Sequence, residues 1–237
     1  MADIAIQYCF TLADGSQKVF DTELDDQSLE LLGNIPETLP SWTNLDFHEC
    51  PHCPLPIDEH PHCPLAVRLV DIVESFNRLQ SYDQIHIDVV TEERTVSRDT
   101  TAEQGIGSLM GLVIATSGCP HTAFFKPMAR FHLPLASEDE TIYRAASMYL
   151  LAQYFLKKGG YSTDIGLEGL KKIYENIQIV NASIAKRLRA ASEKDSSLNA
   201  VVWLDMYAKS SSYAIEESLG KIRHMFSAFF VKDTGPA

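Results

Sequence analysis

Between residues 34 and 64 the chain carries seven of its eleven prolines, at positions 36, 40, 51, 54, 56, 61 and 64. Proline lacks a backbone N–H and fixes φ, so neither a continuous helix nor an inner strand can run through this stretch. A segment this long without regular structure stays ordered in a folded chain only if something holds it. The same segment contains Cys50, Cys53 and Cys63, in the runs His48-Glu49-Cys50-Pro51-His52-Cys53-Pro54 and His60-Pro61-His62-Cys63-Pro64. A fourth motif, Cys119-Pro120-His121, follows much later. The sequence therefore predicts a proline-rich loop tied down by a metal.

On either side of that loop the patterning is regular. Ile4, Ile6, Tyr8, Phe10 and Leu12 alternate with Ala5, Gln7, Cys9 and Thr11, and Asp14-Gly15 supplies a turn. Lys18 to Leu24 reads as the returning strand of a hairpin. Cys9, on the more polar face, reads as a small strand residue. Arg68 to Leu79 has the apolar spacing of a three-turn helix. Ile85, Ile87 and Val89 alternate with His86 and Asp88, and Thr95 to Arg98 reads as their partner strand. Thr100-Thr101-Ala102-Glu103 has the form of a capping box opening a helix to about Thr116. Three further helices are predicted over Glu140–Lys158, Leu167–Ala191 and Ser196–Phe230, the first closed by Gly159-Gly160.

The class is α+β. A small N-terminal antiparallel sheet of two hairpins carries the metal-binding loop, and a C-terminal antiparallel helical bundle follows. Residues 1–100 and 101–237 divide accordingly, within one integrated domain.

The four cysteines are spaced C-x2-C-x9-C-x55-C. Two residues between Cys50 and Cys53 let both thiolates reach one ion, Cys63 lies near in sequence, and Cys119 supplies a fourth corner from a helix C-terminus. A tetrahedral tetrathiolate suits zinc, and the Cys-Pro-x-Cys turn favours it. The alternative cofactor is a [4Fe-4S] cluster on the same thiolates. His62 and His121 adjoin Cys63 and Cys119 and, with His132, are secondary ligand candidates. A mixed Cys/His site with an open position would suit a metal-dependent hydrolase.

Charge sharpens this picture. The formal net charge is −12, from 20 Lys plus Arg against 32 Asp plus Glu. No basic residue occurs between Lys18 and Arg68, while ten acids do. An acidic field around the loop is expected to raise thiol pKa values and attract a cation, with Lys126 and Arg130 compensating a charged metal–thiolate centre. Nucleic acid is disfavoured as a partner, because phosphate binding needs clustered Lys and Arg. No apolar run approaches the roughly 18 residues that span a bilayer. The opening Met1-Ala2-Asp3-Ile4 lacks the features of a secretory leader, so a cytoplasmic, reducing compartment is expected. The wide apolar helix faces are compatible with a homo-oligomer as well as with a monomeric core.

Several matches carry little weight. His48-Glu49-Cys50-Pro51-His52 spells H-E-x-x-H, but that metalloprotease signature works only on a helix, which Pro51 opposes. Gly105, Gly107 and Gly111 lack the Lys-Ser/Thr of a phosphate loop and read as close helix packing. Asn181-Ala182-Ser183 falls mid-helix, where a glycosylation acceptor is out of place. Asp205 reads as an exposed edge of the last helix.

The run Trp42-Thr43-Asn44-Leu45-Asp46-Phe47 into Cys50-Pro51-His52-Cys53-Pro54-Leu55 is distinctive. With it come His62-Cys63-Pro64, Ser117-Gly118-Cys119-Pro120 and Pro127-Met128-Ala129-Arg130-Phe131-His132-Leu133-Pro134. Together they resemble an uncharacterised bacterial family, a domain of unknown function, over most of the chain. The resemblance implies that the four cysteines, His62, Arg130 and His132 belong to the family motif. It implies that His48, His52, His60 and His121 are particular to this sequence. It carries no activity. The function expected is a cytoplasmic metal-binding protein with a structural, regulatory or binding role; whether a reaction is catalysed is left open.

Overall fold

Strict alternation of large apolar side chains builds the sheet. The computed structural model describes residues 3–33, 35–191, 199–201, 215 and 217–230. Strand β1 (Ile4–Thr11) pairs with β2 (Gln17–Leu24) through the turn at Gly15, whose φ of 81° suits glycine. Strands β3 (Gln84–Thr91) and β4 (Thr95–Thr101) form the second hairpin. The two hairpins join through antiparallel β1 and β3, with Tyr8 opposite Val89 and Phe10 opposite Ile87, giving the order β2-β1-β3-β4. Ile6, Tyr8, Phe10, Ile85, Ile87 and Val89 are buried on one face. The other face is polar, with Gln7 bonded to Asp21 and His86 to Asp99 and Ser97. Cys9 belongs to that face and stands apart from the other cysteines.

Helix α3 (Ala102–Ala115) lies against the apolar face. At Gly105 a Cβ would come within 2.8 Å of Ile85 Cδ1 and 3.3 Å of Phe10, so the glycine is what permits this approach. The predicted capping box does not form: Thr101 makes no side-chain cap, and Thr100 bonds the Gln104 side chain instead. The carbonyls of Asp83 and Ser81 receive the N–H groups of Ala102 and Glu103 and so cap the helix from the loop before β3.

The predicted helix over 68–79 is two short ones, α1 (Pro64–Arg68) and α2 (Val70–Phe76), broken at Leu69. The first starts earlier than its apolar spacing suggests, because Pro64 is pre-set for a first helical turn. After the short α4 (Lys126–Arg130) comes α5 (Glu138–Lys158), opened by a full capping box between Ser137 and Glu140. Then follows α6 (Glu168–Ala191). The predicted helix over 196–230 is described only in part, with 199–201, 215 and 217–222 helical, and Asp205 lies outside the described residues. Its described end, Arg223–Phe230, is a 3-10 turn.

Helix α6 serves two cores. Tyr174 and Ile177 pack with Ile142, Ala145 and Tyr149 of α5. Val180, Ile184 and Leu188, nearer its C-terminus, join the core formed by the sheet, α1, α2 and α3.

Candidate metal centre

The proline-rich loop is held by an arginine. Arg187 of α6 is 2% exposed and donates from Nη1 to the carbonyls of Trp42 (2.7 Å) and Asn44 (2.6 Å) and from Nη2 to that of Leu45 (2.9 Å). Trp42 and Leu45 are buried beside it. The returning limb of the loop pairs with this one: Cys63 N–H donates to Thr43 O and Leu45 N–H to Pro61 O. Thr43 Oγ1 bonds His62 Nδ1 at 2.8 Å. Order in this segment therefore has a source in the polypeptide itself, which the sequence reading had assigned to metal.

Three separate backbone features present the four predicted thiols. Cys50 and Cys53 flank a tight turn closed by Cys53 N–H to Cys50 O at 2.9 Å. Cys63 is the residue before α1, with Pro64 at the first helical position. Cys119 follows Gly118, whose φ of 86° turns the chain out of α3, and its carbonyl receives Thr122 and Ala123 N–H. A Cβ on Gly118 would lie 3.8 Å from Pro64, which places the Cys119 loop against the start of α1. Cys50 additionally bonds Ser183 of α6.

All four thiols are half-buried and act on one another electrically. Burial pushes Cys50 up to about 11, with further lift from the charges of Cys63, Cys119 and Cys53. Burial raises Cys63 and Cys119 too, Cys53 adding to the first and Cys63 to the second. Arg187 opposes this at Cys63. The acidic run is not among the main causes, so the expected carboxylate field around the thiols is replaced by burial and mutual repulsion. Lys126 pairs with Glu30 at 3.1 Å, and Arg130 lies over Phe131.

The sulfurs are not closed on one another. Among the described residues, the one trio of potential ligand atoms lying within 4.8 Å of each other is Asp3, Asp25 and Asp26. A zinc tetrathiolate with bonds of about 2.3 Å has sulfurs roughly 3.8 Å apart. The aspartate trio is a surface cluster in which Asp25 already accepts Ser28 N–H at 2.6 Å.

The histidines sort by their hydrogen bonds. His121 Nε2 donates to the carbonyl of His52 at 2.9 Å, and the two rings stack 3.8 Å apart and 11° from parallel. His52 Nε2 donates to Asn176 O at 3.3 Å, leaving its buried Nδ1 as an acceptor with no partner among the described residues. An N–H fixed on a carbonyl is how metal-ligating imidazoles are commonly oriented. His132, by contrast, bonds the Tyr8 hydroxyl through Nε2, and that hydroxyl also bonds Ser108. No bond links it to the cysteines. The H-E-x-x-H run lies in turns, with His48 at φ 49°, so it has no helical face.

A family profile for a domain of unknown function matches residues 6–227. The chain belongs to that family, DUF6901. No curated protein and no solved structure matches. Among the described residues, no helix is long and apolar enough to cross a membrane.

Sequence reasoning missed Arg187 and ranked His52 below His62 and His121. The arginine looked like one more basic residue on the last turns of a helix. Its one sequence signal is its position three residues after Ile184, on the apolar stripe of α6.

Proposed function

We propose that this chain is a metal-binding protein that holds one zinc ion on the thiolates of Cys50, Cys53, Cys63 and Cys119, in a structural or regulatory role. The observation that carries the reading is Arg187. It is a fully buried guanidinium, no carboxylate among the described residues lies within ion-pair distance, and its charge bears on Cys63. A buried cation without a counter-charge costs several kcal/mol. A zinc ion with four thiolates has a net charge of −2 and would offset it. Without metal the raised thiols stay protonated and are weak nucleophiles. Metal binding reverses that preference and releases protons. The spread of the sulfurs means that metal would draw the Cys50–Cys53 turn and the Cys119 loop inward. The unpartnered Nδ1 of His52 offers a neutral donor beside that turn. His132 is committed to Tyr8, which favours a closed thiolate site over a mixed hydrolytic one.

Elemental analysis of protein purified with and without oxygen tests this. The expected result is one zinc per chain, no absorption near about 400 nm, and loss of the metal in a Cys50→Ser, Cys119→Ser double variant. Full metal content in that variant, or wild-type protein that is metal-free under both conditions, overturns the proposal. A brown anaerobic sample would reassign the thiolates to an iron–sulfur cluster.

A further inference from the structure

A cavity of about 420 Å³ opens between α3, the first turns of α5 and the middle of α6. Its volume is in the range of small-molecule sites. The interior is apolar, formed by Leu112, Phe125, Met128, Leu135 and Ile177, and Gly107 and Gly111 of α3 leave room where side chains would otherwise stand. The rim is polar and exposed, with Arg98, Ser137 and Glu140.

The polar groups on this cavity favour one sign of charge. Arg144 is half-buried and spends its Nη2 hydrogens on the carbonyls of Met128 (2.8 Å) and Phe131 (2.9 Å). A guanidinium has five N–H donors, so the rest of the fork is left for a ligand. Glu140 accepts Ser137 N–H at 2.7 Å in the capping box, and its charge acts on Arg144. His132 stays neutral: burial and the nearby Arg144 hold it down at about 3. Two arginines therefore face one carboxylate, an excess of positive charge on a chain whose net charge is −12. Asn181, 3% exposed, is part of the lining, and its side-chain nitrogen has no hydrogen-bond partner among the described residues.

We propose that this cavity binds a small carboxylate with an apolar body, its carboxylate on Arg144 near the rim and its body between α3 and α6. Asn181 donates to an acceptor atom where the ligand carries one. The site is separate from the cysteine cluster and does not depend on the metal. A straight-chain acid and a flat aromatic acid share this chemistry, and the two are distinguished by which binds more tightly.

Calorimetric titration of the full-length chain with decanoate below its micelle threshold, 2-naphthoate, decan-1-ol and decylamine tests the proposal. At least one acid should bind about tenfold more tightly than the alcohol, and the amine should bind more weakly still. Arg144→Lys should reduce that preference while keeping the charge, because an ammonium cannot reproduce the planar fork. Gly111→Leu fills the cavity with a better helix former, so it should abolish binding with the helical circular dichroism unchanged. Absence of acid binding, equal binding of alcohol and acid, or retained binding in folded Gly111→Leu protein overturns it.

Discussion

Replacing Arg187 with methionine removes three charge-assisted hydrogen bonds of 2.6 to 2.9 Å from the carbonyls of Trp42, Asn44 and Leu45, of which Asn44 keeps Phe47 N–H. Each such bond contributes about 1.5–3 kcal/mol. Against that sum stands the desolvation of the guanidinium, which methionine no longer incurs. The net loss expected is about 3–5 kcal/mol, the range seen when one partner of a buried charged interaction is removed. A domain of ordinary stability has about 5–15 kcal/mol in total. The urea midpoint should therefore fall by more than about 1 M, taking a slope of roughly 1–3 kcal/mol/M. Buried Trp42, whose carbonyl is one of the three acceptors, reports loop release by a red-shifted fluorescence. Arg187→Lys should recover only part of the loss, because an ammonium cannot span three carbonyls as a planar fork does. A destabilisation below about 1 kcal/mol, typical of an unremarkable site, would show that the loop is held by other means and refute the assignment.

Acid should weaken the fold through His132, whose folded-state value of about 3 lies far below the ordinary value of about 6.5. The sign follows from proton binding: the neutral ring's contribution is complete above pH 6.5 and drains as pH falls toward 3, because the unfolded state takes the proton first. The slope is at most about 1.4 kcal/mol per pH unit, or about 2 kcal/mol by pH 5. Wild-type minus His132→Gln stability, measured by urea titration across pH 7 to 5, should show that slope; a flat difference contradicts it. Ser137→Ala removes the one complete capping box among the described helices and should cost about 1 kcal/mol. A matching fall in thermal midpoint checks this, and an unchanged midpoint argues that the first turn of α5 is held elsewhere.

Local physics was readable in the sequence wherever it was decided locally. The period of two in β1 marked its buried face, and Asp14-Gly15 located its turn. The double glycine after Lys158 ended α5 where expected. What could not be read depended on contacts between distant parts of the chain. The joining of the hairpins through β1 and β3 follows from no local pattern. Thr101 has the right residue type and the wrong surroundings, because the loop before β3 already supplies the capping carbonyls. Ser137 is the reverse case: its Ser-x-x-Glu spacing opens α5 two residues before the predicted start at Glu140. For the cysteines, the spacing predicts convergence on one ion, whereas among the described residues no three of their sulfurs lie within 4.8 Å of one another. The anchoring of the loop by Arg187 was not legible, since that residue is 145 positions from Trp42.

That separation also sets a schedule during synthesis. At about 5–20 residues per second, a gap of 145 residues corresponds to roughly 7–30 s between the emergence of Trp42 and that of its anchor. Through that interval the Cys50, Cys53 and Cys63 thiols leave the ribosome without the helix that later covers them. They are then open to oxidants before α6 has been made, so the order of synthesis leaves these thiols exposed longest.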